Sequence, residues 1–185
     1  MEISTNGMYT FNKNAKLLYN LGYVYTEPRD ADYKKRNALE NTYTDPLQMK
    51  EKSNDGKYLK YRPKHSFKAT LDFQWKRINI GANVNWKSKM LAVDYIMLDE
   101  RSKSEPDLLD YVRGILFGSN GETLASYWKK HNTDYATVDM RFGVKATKEV
   151  AFQFMINNLL NKEYSYRPMA VGAPRTFVVK MDVTF

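Results

Sequence analysis

The residues able to do chemistry are few and scattered. The chain has 185 residues with two histidines and no cysteine. His65 opens an alternating stretch and His131 closes a polar one, too far apart in sequence to suggest a ligand pair. Without cysteine there is no disulfide and no cysteine-based zinc pattern, so no metal or cofactor is expected. The carboxylates Asp99, Glu100, Asp107 and Asp110 sit in a run that also carries positive charge and read as a solvated loop. No nucleophile-and-base arrangement is present, and an enzyme is not expected. What remains is a set of aromatic and cationic side chains in irregular stretches: Tyr95, Tyr111, Tyr127, Trp128, Tyr164, Tyr166 and Arg167. Such groups suit a flat anionic ligand through stacking and charge-assisted hydrogen bonds. They suit packing between loops equally well.

The elements that must hold these residues are strands. His65–Trp75 alternates without a fault, Phe67, Ala69, Leu71, Phe73 and Trp75 against Ser66, Lys68, Thr70, Asp72 and Gln74. A period of two places one set on each face of a strand. Lys76 and Arg77 make a turn, and alternation resumes from Ile78 to Lys87. The same pattern appears weakly over Ile3–Phe11 and clearly over Leu17–Thr26, Ala136–Lys145, Val150–Asn157 and Arg175–Phe185. Seven strands are expected. Three irregular stretches separate them, about 27–63, 89–132 and 161–175, each much longer than the usual 4 to 6 residues. Within the second, Pro106–Arg113 could form a short helix.

Tight and long connections alternate strictly, which puts all turns on one rim of an antiparallel meander and all long loops on the other. Strands of about 9 to 12 residues can cross a bilayer at a tilt, and this rim asymmetry is how outer-membrane barrels are built. The fold expected is therefore all-β: an up-and-down meander forming a segment of a large transmembrane β-barrel. Its apolar face would meet lipid. Its polar face, with Lys68, Asp72, Asp139, Arg141, Lys145, Lys180 and Asp182, would line a water-filled lumen. Tyr9, Phe11, Trp75 and Phe185 fall towards the turn rim and Tyr23, Tyr25, Trp86 and Phe177 towards the loop rim, the expected pair of aromatic belts. An odd number of strands does not close, so an amino-terminal portion is expected to be missing. Met1 is followed by no export signal.

The formal charge of +8 is dispersed. The loops are nearly balanced and the excess lies on strands and turns, a poor phosphate track, so no nucleic-acid partner is expected.

Asn157-Asn158-Leu159-Leu160-Asn161-Lys162-Glu163-Tyr164 resembles the N-L-F-N-K-x-Y signature of TonB-dependent outer-membrane receptors, with Leu160 in place of the aromatic. Gly172-Ala173-Pro174-Arg175-Thr176 is similar to that family's P-G-R-T ending, without the glycine between Pro174 and Arg175. Arg62-Pro63-Lys64-His65 resembles its P-x-H segment. The resemblance implies the carboxy-terminal part of a barrel of about 22 strands. It implies a cell outer-membrane location and binding and import of a scarce ligand: a ferric siderophore, haem or cobalamin. A catecholate complex would suit the loop tyrosines, with Tyr166 and Arg167 the preferred contacts. The implied partners are outer-membrane lipid and lipopolysaccharide, barrel-assembly machinery reading Phe185, and TonB through the absent amino-terminal portion. Another outer-membrane barrel, porin-like or enzymatic, and a soluble lipocalin-like binder are the alternatives.

Overall fold

The computed structural model describes residues 1–40, 42, 55–94, 124–167 and 170–184. Six long strands come first: β1 (Glu2–Asn12), β2 (Ala15–Tyr25), β3 (His65–Trp75), β4 (Ile78–Lys87), β5 (Tyr135–Lys145) and β6 (Val150–Asn157). A two-stranded ribbon, β7 (Ser165–Arg167) with β8 (Ala170–Val171), precedes the last strand, β9 (Thr176–Val183). Among the described residues, two short helices lie between strands, α1 (Tyr33–Glu40) and α2 (Leu124–His131). The main sheet is an antiparallel meander in the order β1-β2-β3-β4-β5-β6-β9.

Strict period-two patterning leaves little freedom of register, because a one-residue slip would turn every apolar side chain to the other face. The β2–β3 pairing runs unbroken from Ala15 opposite Trp75 to Tyr25 opposite His65. Across the sheet, Leu17, Phe73, Ile80, Phe142, Phe154 and Val179 form one row. One residue over, Leu18, Asp72, Gly81, Arg141 and Met155 form the next, on the opposite face. The seven charged residues expected on the polar side do share that face.

Nothing among the described residues covers the apolar face. Val179 is 74% exposed, Phe177 63% and Phe142 46%. The turn-rim belt contains Tyr9 edge-on to Phe11, which meets Phe73. At the loop rim His65 lies between Tyr23, Tyr25 and Trp86, and the Tyr23 hydroxyl is 2.7 Å from His65 Nδ1. Just beyond, Glu27 accepts bonds from the Tyr25 hydroxyl, Arg29 and Lys64, which hold its carboxyl down to about 2. Phe185, expected in the turn-rim belt and as an assembly signal, lies outside the described residues, as does the helix expected over Pro106–Arg113.

The described parts of the long connections are not irregular throughout. They carry α1, α2, the β7–β8 ribbon and a small core of their own. Pro28 and Val93 are fully buried, with Ala92 at 1% and Trp128 at 5% exposure. Within the first loop Leu59 N–H bonds Pro28 O at 2.7 Å, and Tyr61 N–H bonds Ala92 O at 2.8 Å, joining the first loop to the second. The Asn132 side-chain amide pairs with both backbone groups of Met90, at 2.9 Å each, as a strand neighbour would. Asp94 accepts from Lys60 at 2.5 Å and from the Tyr61 hydroxyl. Burial, reinforced by that bond, pushes the Tyr61 phenol up to about 12. Ordering these segments costs conformational entropy, which the buried rings, the Val93 side chain and the backbone bonds offset.

Candidate functional site

Where the polar face meets the loop rim, strands and the last loop enclose a cleft of about 370 Å³. Lys68, Lys87, Tyr135, Asp139, Tyr164 and Tyr166 line it. Register explains the grouping: Lys87 lies opposite Tyr135, and Lys68 is two residues further down the same face. The tyrosines form a continuous aromatic surface. Tyr135 and Tyr164 stack at 5.0 Å, Tyr164 meets Tyr166 edge-on at 5.2 Å, and their hydroxyls are 3.0 Å apart. Lys87 Nζ sits 5.9 Å from the centre of the Tyr166 ring. Phenol hydroxyls, two ammonium groups and ring faces in one cleft can hold a planar ligand carrying several anionic oxygens.

The last loop is held by unusual backbone. Asn158 and Asn161 adopt left-handed φ values of 50° and 48°. Among residues with side chains, asparagine tolerates this region best. On the returning leg Gly172 lies flat against the Tyr164 ring, where a Cβ would come within 2.2 Å. Its N–H bonds Tyr164 O at 2.7 Å. Tyr164 is thus fixed between Gly172 and Tyr135.

Its bond to Tyr166, with partial burial, raises the Tyr164 phenol to about 12. A raised phenol favours the protonated folded state, so its contribution to stability is complete below the unfolded value near 10 and is lost as pH climbs to about 12. An absorbance titration of phenolate formation is expected to show Tyr164 ionising after the exposed tyrosines, and Tyr166→Phe should bring it earlier. A single unshifted phenolate wave in wild type would contradict this geometry.

Of the residues singled out from sequence, Tyr166 lines this cleft together with Lys68 and Asp139. Arg167 follows on the alternate side of β7 and does not line the cleft. Trp128, 5% exposed, does not line this cleft and lies instead beside Ala92 and Val93 in the loops. Tyr127 stacks on His131 at 4.0 Å and donates to Glu163, so its ring also serves loop packing. Tyr95 and Tyr111 lie outside the described residues. Arg141 bonds Asp72 at 2.5 Å across Gly81, and Lys180 bonds Asp182 at 2.7 Å. Tyr164 was among the loop aromatics singled out from sequence, whereas Tyr135, Lys87 and Asn158 were not. Polar-face parity would have found Lys87 and Tyr135, whereas Tyr164 reaches the cleft only through the loop's folding.

No family model matches the chain, and no curated protein matches it in sequence. Among solved structures it is similar to the closed form of the ferric-catecholate import receptor Fiu from E. coli K12, with TM-score 0.53 and 17% identity. That match covers 100% of this chain and 20% of the receptor. The open form of the same receptor aligns with TM-score 0.44 and 12% identity over 98% of this chain and 30% of that one. The chain spans about a fifth of the length of the closed receptor it matches. At this identity the likeness is one of fold: this is an all-β antiparallel meander of a kind found within an import receptor.

Proposed function

We propose that this chain is a wall-and-rim segment of a TonB-dependent outer-membrane receptor that binds and imports a scarce anionic ligand, a ferric siderophore of the catecholate class. One observation carries this reading: a seven-stranded meander with one uncovered apolar face and one charged face, all its tight turns on one rim and its packed loops on the other. Such a sheet suits a bilayer on one side and a water-filled lumen on the other. A soluble lipocalin-like barrel needs the reverse polarity. The cleft at the loop rim lies where an incoming ligand would first meet the lumen wall, and its tyrosines and lysines match the phenolate oxygens and flat rings of a catecholate complex. Fold similarity to a ferric-catecholate import receptor adds support. The remaining strands, the plug and the TonB contact would belong to the rest of the full-length protein, and lipid, lipopolysaccharide and barrel-assembly machinery would be its membrane partners.

The test is uptake of radiolabelled ferric catecholate by cells carrying the full-length protein. Tyr166→Ala is expected to weaken binding by about tenfold, the loss of one ring and one hydroxyl contact. Arg167→Ala, outside the cleft, should have the smaller effect. Unchanged affinity in Tyr166→Ala would remove this cleft as the binding surface.

A further inference from the structure

Asn158 lies at the floor of the cleft, and its side chain is heavily bonded at the base of the last loop. It is 4% exposed. Its Nδ2 donates to Lys162 O at 2.9 Å and to Ala173 O at 3.1 Å, and its Oδ1 accepts from Lys162 N at 2.9 Å. Three of the four hydrogen bonds its amide can make are therefore formed, to both legs of the loop. Its own backbone is anchored in turn. Asn158 N–H bonds Asp139 Oδ1 at 2.8 Å, and the next residue, Leu159, bonds Val138 O at 2.7 Å. Asn161 repeats the device: its N–H returns to Asn158 O at 2.8 Å and its Oδ1 accepts from Arg175 N at 2.9 Å. The loop is tied shut at its base, independently of its tip.

We propose that Asp139, Asn158 and Asn161 form a positioning clamp that sets the ligand affinity of the cleft by holding Tyr164, and through it Tyr166, in place. The chain of contacts is continuous. Asp139 on the sheet holds Asn158; Asn158 holds the outgoing leg at Lys162 and the returning leg at Ala173. Those two points fix the separation at which Gly172 meets the Tyr164 ring two residues beyond Lys162. Tyr164 then bonds Tyr166. A clamp that let the legs part would leave both rings free to rotate, and a binding surface ordered only on contact with ligand binds more weakly. The inference rests on the cleft being the binding surface, and its test separates the two.

The decisive variant is Asn158→Gly in the full-length protein. Glycine accepts the left-handed backbone without strain and keeps the backbone bonds, so only the side-chain ties are lost. The variant should reach the outer membrane in the folded, heat-modifiable form. Binding of ferric catecholate should weaken by about tenfold, and the double variant Asn158→Gly with Tyr166→Ala should be no weaker than Tyr166→Ala alone, because both remove the same ordered ring. In a difference titration of the purified protein, one tyrosine should ionise earlier than in wild type. Fully additive affinity losses, or a titration identical to wild type, would overturn the clamp. If Tyr166→Ala binds normally while the titration moves, the clamp stands and the assignment of the cleft fails. Should Asn158→Gly not fold, Asn161→Gly, which frees the returning leg alone at a position also left-handed, is expected to show the same coupling with a smaller loss, and its absence would likewise overturn the proposal.

Discussion

Leu71→Arg is expected to abolish accumulation of the full-length protein in the outer membrane, while Thr70→Arg, one residue away, is tolerated. Leu71 lies near the middle of β3 on the uncovered apolar face and is 43% exposed. An arginine near the bilayer midplane on a lipid-facing strand position costs about 2–4 kcal/mol. Thr70 points to the opposite face, beside Asn20 and Asn83 in register, where another cation meets water and polar groups. A change there should stay within about 0.5 kcal/mol. Urea unfolding of the protein refolded into lipid vesicles measures both. The comparison is demanding because the two substitutions are chemically alike and adjacent. Equal effects at the two positions would mean that the apolar face does not meet lipid, and the membrane reading would fall with it.

Trp128→Ala is expected to unfold the outer loops and spare the sheet. The indole is 5% exposed and belongs to the small core that also contains Pro28, Ala92 and Val93. Removing a buried tryptophan side chain costs about 3–5 kcal/mol. That is a large loss for a core of so few residues. The strands do not draw on it, since their stability comes from ladder hydrogen bonds and cross-strand pairs, so the loss should be local. Trypsin added to intact cells should then cut at exposed loop lysines such as Lys57 and Lys129 faster than in wild type, while the heat-modifiable barrel persists. Loops as resistant as wild type would show that the buried indole does not hold them.

The two outcomes divide along the line between what was legible in the sequence and what was not. The β3 limits, His65 and Trp75, follow from alternation that breaks at Lys76 and Arg77, and the structure turns there, with Lys76 at φ 51°. The face of each of the seven charged residues follows in the same way, as does the belt around Tyr23, Tyr25 and Trp86. The N-L-L-N segment was recognisable as a motif, but its work was not: nothing in the letters says that Asn158 faces Lys162 and Ala173. The loops were read as irregular because their periodicity is poor. Their described parts are nonetheless held by contacts made with one another.

Period two is a local property: each side chain's face depends on its neighbours in the chain and on the pleat, so the strands, their two faces and the alternation of rims were determined by the sequence alone. The loop core, the tyrosine cleft and the Asp72–Arg141 pair were decided only in three dimensions. Their partners are far apart in the chain, 34 residues for Lys60 and Asp94 and 69 for Asp72 and Arg141. No local pattern encodes which distant groups will meet, because that depends on the sheet first bringing the strand ends together along one rim.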